Sequence, residues 1–148
     1  MLRPLALLPA LLLLGCPSAD DDSHVCGDVT RGDTYVEGIE PDVLAGDYTV
    51  SITSANPVPP NEGDNEWMLM VTDANGAPAA GCTCVVEAFM PDHEHGATNA
   101  PTCTESKTVN GGYEAYLDLM MPGMWQLTVT VTCGDDETSG EYWFCAEG

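Results

Sequence analysis

Basic side chains are nearly absent from this sequence. Three Lys or Arg residues stand against 24 Asp or Glu, a formal net charge of −21. Arg3 lies in the first few residues, so only Arg31 and Lys107 oppose the carboxylates of the remaining chain. Such a surface repels polyanions, which excludes nucleic acid as a partner and excludes electrostatic binding to anionic lipid headgroups. It attracts cations and keeps the chain soluble. The carboxylates are scattered rather than gathered into one loop, so the acidity reads first as a general adaptation to salt. Long apolar runs are also missing. The run Leu5 to Leu14, broken by Pro9, falls short of the roughly 20 residues a bilayer-spanning helix needs. There is no Gly-x-Ser-x-Gly elbow, no phosphate-cradling glycine loop and no His-Glu-x-x-His pair, and these absences remove the common hydrolase, nucleotide and zinc-protease readings. Asp20 to Asp22 and Asp135 to Glu137 lack the ligand spacing of a calcium loop. No catalytic residue is assigned, and an enzyme is not expected. A helical stripe of apolar residues and an internal repeat are likewise absent.

What is present begins with an address. Met1-Leu2-Arg3 followed by the short apolar run has the layout of a secretory signal peptide. Leu13-Leu14-Gly15-Cys16 resembles a bacterial lipobox. The resemblance implies cleavage before Cys16, a diacylated thiol and an acylated new N-terminus, enough acyl chains for stable attachment to a membrane. An ordinary secretory signal, with Cys16 an unrelated thiol, is the alternative. Residues 17–28 are polar and acidic, too poor in apolar groups to form a core, and read as a tether. Pro17 stands where the sorting rule of enteric bacteria would use Asp for inner-membrane retention, so the lipoprotein resemblance leans towards the outer membrane. The organisation expected is a signal peptide over 1–15, lipidated Cys16 and an acidic tether over 16–30, and one domain over 31–148.

Seven cysteines are present. With Cys16 given to lipid, Cys26, Cys82, Cys84, Cys103, Cys133 and Cys145 remain, an even number that reads as disulfides in an exported domain. Cys82 and Cys84 share a strand face, which suits two separate cross-links better than a bond to each other. Cys26 and Cys145 sit near the two ends, so a bridge from either ties down a terminus. The pairing stays open. A thiolate metal site would need reduced cysteines, against the chemistry of that compartment.

Period-two alternation runs through most of the chain. Tyr48, Val50 and Ile52 alternate with polar residues, as do Trp67, Leu69 and Val71, and Tyr113, Ala115, Leu117 and Leu119, and Trp125, Leu127, Val129 and Val131. Further strands are expected over 82–89, 103–109 and 141–145. Asp73-Ala74-Asn75-Gly76, Gly111-Gly112 and Met121-Pro122-Gly123 mark tight connections. About seven short strands with frequent turns predict an all-β fold, an immunoglobulin-like antiparallel β-sandwich stabilised by disulfides. Trp67 and Trp125 fall on buried faces and should anchor the core.

The most chemical stretch is Met90-Pro91-Asp92-His93-Glu94-His95-Gly96. In an extended segment His93 and His95 point to one side, as two ligands of one metal would. Met120, Met121 and Met124 bracket the Pro122-Gly123 turn, and Met68 and Met70 fall on the polar phase of their strand. Thioether and imidazole together select a soft or borderline ion, Cu(I) best of all. Against this, a His-x-His in an acidic loop also reads as a solvated segment, and methionine is ordinary core filler.

The order of these features resembles the YtkA-like domain family, small exported β-sandwich domains related in style to FixH and to CopC-type copper carriers. The resemblance rests on Asp73 to Pro78, on Met90 with His93 to Gly96, on Gly112-Tyr113 and on Met121-Pro122-Gly123-Met124-Trp125, over residues ~45–132. The cysteines depart from that pattern. What the resemblance implies is a copper carrier, buffer or assembly factor of the cell envelope, with Met90, His93, His95, Met121 and Met124 as candidate ligands. The partners expected are the membrane, through lipid on Cys16, and an envelope metalloprotein or other protein. The rival reading is a structural or interaction module that binds no metal. The copper reading requires that the 90–96 loop and the 120–124 turn lie at the same end of the sandwich.

Overall fold

The computed structural model describes residues 26, 32–41 and 43–148. The expected anchor Cys16, the signal peptide and most of the tether lie outside the described residues. Alternating apolar and polar residues cannot satisfy a helix, so the chain pairs as strands, each with one wet and one dry face. Nine strands result among the described residues: β1 (Val43–Ala45), β2 (Thr49–Asn56), β3 (Gly63–Thr72), β4 (Thr83–Met90), β5 (His95–Gly96), β6 (Thr102–Glu105), β7 (Gly112–Leu119), β8 (Gly123–Cys133) and β9 (Asp136–Ala146). They form two sheets, ordered β1-β9-β8-β4-β5 and β2-β3-β7-β6. Every pairing between strands is antiparallel. This is the β-sandwich that the sequence predicts.

The seven expected strands correspond to β2, β3, β4, β6, β7, β8 and β9. β1 and β5, of three and two residues, are edge strands too short to display a period. β9 also begins earlier than expected, at Asp136. Cys133 and Asp136 are Cα partners, so Gly134 and Asp135 alone connect β8 to β9. Gly134 supplies the positive φ, 67°, that a two-residue hairpin needs.

The dry faces meet between the sheets. Val50 and Ile52 on β2, Trp67, Leu69 and Val71 on β3, and Leu117 and Leu119 on β7 oppose Val86 and Met90 on β4, Leu127 and Val129 on β8, and Phe144 on β9, all buried. Each such side chain contributes about 1.5–3 kcal/mol relative to exposure. Trp67 packs edge-on to Phe144, with ring centroids 5.4 Å apart. The Tyr142 hydroxyl crosses to donate to the Val50 carbonyl at 3.0 Å, and burial pushes its pKa well above the usual tyrosine value. At the β3–β4 turn the Asp73 carboxylate accepts from the N–H groups of Ala77 and Asn75, at 2.9 and 2.8 Å. Those bonds, Ala77 first, hold its pKa below the ordinary carboxylate value.

Three disulfides fix the frame. Cys84–Cys103 ties β4 of one sheet to β6 of the other, Cys82–Cys133 staples the start of β4 to the end of β8, and Cys26–Cys145 pins the incoming chain to β9. Cys82 and Cys84 thus serve two separate links, and one bond joins Cys26 and Cys145, the first and last of the six cysteines after Cys16.

Candidate metal centre

β4 ends at Met90, and the chain reverses through residues 91–94. β5 then pairs back onto β4, with Met90 opposite His95 and Phe89 opposite Gly96. The His93 N–H closes the turn on the Met90 carbonyl at 3.2 Å. Glu94 takes a left-handed conformation, φ 56°, alone among the described non-glycine residues, a cost of roughly 1–2 kcal/mol for an ordinary side chain. His93 and His95 therefore do not lie on one side of an extended segment, as the spacing predicts. The reversal brings them together instead, with ring centroids 5.8 Å apart and planes at 69°.

His95 stands edge-on to Trp125 at 6.2 Å. Its Nδ1 lies 3.0 Å from the Gly96 carbonyl. A carbonyl oxygen only accepts, so Nδ1 carries the proton in this bond and Nε2 keeps the lone pair.

The second wall comes from the β7–β8 connection. Trp125, fully buried, donates from Nε1 to the Met121 carbonyl at 3.0 Å. That bond ties the turn to the core residue beneath it. Between the turn and the 90–93 segment lies a cavity of about 200 Å³ lined by Met90, Asp92, His93, Met121 and Met124, with Pro122 and Gly123. Met90 and Met124 are buried, at 1% and 2% exposure, Met121 is half-buried, and His93 is exposed at the rim. A Cβ at Gly32 would come 2.9 Å from the Met124 methyl and 3.3 Å from its sulfur. The absence of that atom lets the backbone at Gly32 pack against Met124.

Four of the five candidate ligands, Met90, His93, Met121 and Met124, thus line one cavity. His95 does not line it and stands between His93 and Trp125. Met120 is turned elsewhere. Its sulfur accepts from the Thr98 N–H at 3.3 Å and from the Thr98 hydroxyl at 2.8 Å, which holds the loop after β5. Met68 and Met70 lie on the outer face of the other sheet. Asp92 is the lining residue that the spacing argument passes over; a carboxylate next to His93 was its only signal. Among the described residues no three His, Cys, Asp or Glu side chains gather as a metal group. The arrangement depends on thioethers, whose neutral sulfur binds soft ions without losing a proton.

The family model described as YtkA-like matches residues 42–130. The match takes in both the 90–96 loop and the 120–124 turn, and it ends before Cys133, the β8–β9 hairpin and β9. No curated protein and no solved structure matches the chain. Because the match spans more than half of the sequence, the chain belongs to the YtkA-like family.

Proposed function

We propose that the protein is a non-catalytic, exported metal-binding protein that holds Cu(I) between His93 and the thioethers of Met90, Met121 and Met124. The observation that carries this reading is the shared cavity. Residues some thirty positions apart in sequence line one space, and they are of the types, histidine and methionine, whose imidazole and thioether soft ions prefer. His95 acts behind His93, its Nε2 open as a further ligand once a metal draws the two rings together. Anchored by lipid on Cys16, with the outer membrane favoured by Pro17, such a protein would carry or buffer copper, or pass it to an envelope metalloprotein.

The test is competition for Cu(I) between the purified protein and a chromophoric chelator. The wild type should take up one ion at the cavity with submicromolar affinity. His93→Ala and Met124→Leu should each weaken uptake at least about tenfold, the lower range for losing even a supporting group at a metal site. His95→Ala should have the smaller effect. Equal retention by wild type and His93→Ala/Met124→Leu would leave the rival reading, a structural or interaction module.

A further inference from the structure

Met68 and Met70 are unexplained by the core and by the cavity at the 90–124 end. On β3 the inward residues are Trp67, Leu69 and Val71, all buried, while Met68 and Met70 face out from the four-stranded sheet and are half-buried. Two positions along a strand place their Cα atoms roughly 6.7 Å apart on the same face. Each side chain has three rotatable bonds, so both sulfurs can reach one point between them. Three of their four cross-strand neighbours are small. Met68 lies between Ser54 on β2 and Glu114 on β7, and Met70 lies between Ser51 and Gly112. A surface cavity of about 400 Å³ opens beside Met68, with Glu66, Glu114 and Tyr116 in its wall. The Ser106 hydroxyl donates to Glu114 Oε1 at 2.9 Å and steadies that carboxylate beside the thioether.

We propose that Met68 and Met70 form a second site, for a soft monovalent cation, on the outer face of the four-stranded sheet. Two neutral thioethers supply the soft donors. Glu114 and Glu66 supply the negative charge that a cation bound by neutral ligands requires, and neither carboxylate need coordinate. The face is open to water, so this site exchanges its ion faster and binds it more weakly than the cavity walled by buried Met90 and Met124 does. It stands on the geometry of β3 and does not depend on the reading of that cavity.

Silver(I) is the probe, because it shares the softness of Cu(I) and is not oxidised in air. The wild-type protein is titrated with it, and bound equivalents are counted by native mass spectrometry and calorimetry. Two ions are expected, in a tighter and a weaker phase. Met68→Leu/Met70→Leu keeps the volume and apolar character of the face and should lose the weaker phase while leaving the tighter one unchanged. Glu114→Gln should weaken that phase without abolishing it. Identical stoichiometry in wild type and Met68→Leu/Met70→Leu overturns the proposal. If only one ion binds, and Met68→Leu/Met70→Leu abolishes it, the outer-face site stands and the cavity reading fails. A thermal melt of each variant checks that the fold is retained.

Discussion

Reduction of the three disulfides is expected to unfold the domain at room temperature. The bonds span 119, 51 and 19 residues of chain. Losing a native disulfide from a small exported domain removes about 2–5 kcal/mol, more for longer loops in the chain-entropy account. A whole domain of this size holds only about 5–15 kcal/mol. The surplus of carboxylates narrows that margin further, since like charges repel in the compact state. Cys84–Cys103 matters beyond its loop length, because it joins the two sheets along the side where β6 is an edge strand of four residues. The measurement is near-ultraviolet circular dichroism during titration with a phosphine reductant. The aromatic signal of the packed Trp125, Tyr113 and Tyr142 should collapse as thiols appear. A fully reduced protein that keeps this signal and unfolds in urea at the oxidised midpoint would refute the expectation.

Trp125→Ala is expected to remove about 3–5 kcal/mol, the range for deleting a large buried aromatic. Trp125 has no exposed surface and stands among the largest buried side chains. Its indole also holds the Met121 carbonyl and meets the His95 ring edge-on. Truncation therefore leaves a core void and frees the Met121 wall of the cavity, and Cu(I) uptake should weaken even under conditions where the variant is folded. Trp125→Phe separates the two effects. It keeps most of the packing and leaves the Met121 carbonyl without its donor, a loss of about 1–3 kcal/mol. Urea midpoints at unchanged m-value give both numbers. A loss below about 1 kcal/mol for Trp125→Ala would mean that the indole is not the keystone of this end.

Glu94→Gly offers a smaller, opposite effect. Glycine accepts φ near 56° without penalty, so the variant should melt no lower than wild type, and its His93 and His95 side chains should keep their contact. A fall of more than about 1 kcal/mol would show that the Glu94 side chain, rather than the backbone reversal, holds the loop.

The alternation of Tyr48 to Thr53, Trp67 to Val71 and Trp125 to Val131 made the sandwich legible, because burial on one face imposes period two on the residues themselves. β1 and β5 escaped because two or three residues at an edge carry no period. The Gly134-Asp135 hairpin is written in the chain as a glycine before aspartate, but the run Asp135 to Glu137 is acidic throughout and masks the turn signal. Disulfide partners depend on which strands become neighbours. The sequence could therefore separate Cys82 from Cys84 and could not choose Cys133 and Cys103 for them. The residue types singled out the 90–96 loop and the 120–124 turn, which the fold brings to one cavity, but the spacing of His93 and His95 misstated the path between them. The left-handed turn falls on Glu94, a residue type that does not announce it. Asp92 and the retreat of His95 behind His93 follow from that turn. The separation of Met120 from Met121 and Met124 follows from its bonds to Thr98.

On the proposed reading, Met90, His93, Met121 and Met124 act as one set of ligands. Methionine methyl and histidine ring resonances, followed by nuclear magnetic resonance during addition of the first equivalent of silver(I), test it residue by residue. The methyl signals of Met90, Met121 and Met124 and the ring signals of His93 should shift together and saturate together, ahead of Met68 and Met70 and with Met120 unmoved. First-equivalent shifts confined to Met68 and Met70, or no shift at His93 and the three cavity methionines, would contradict it.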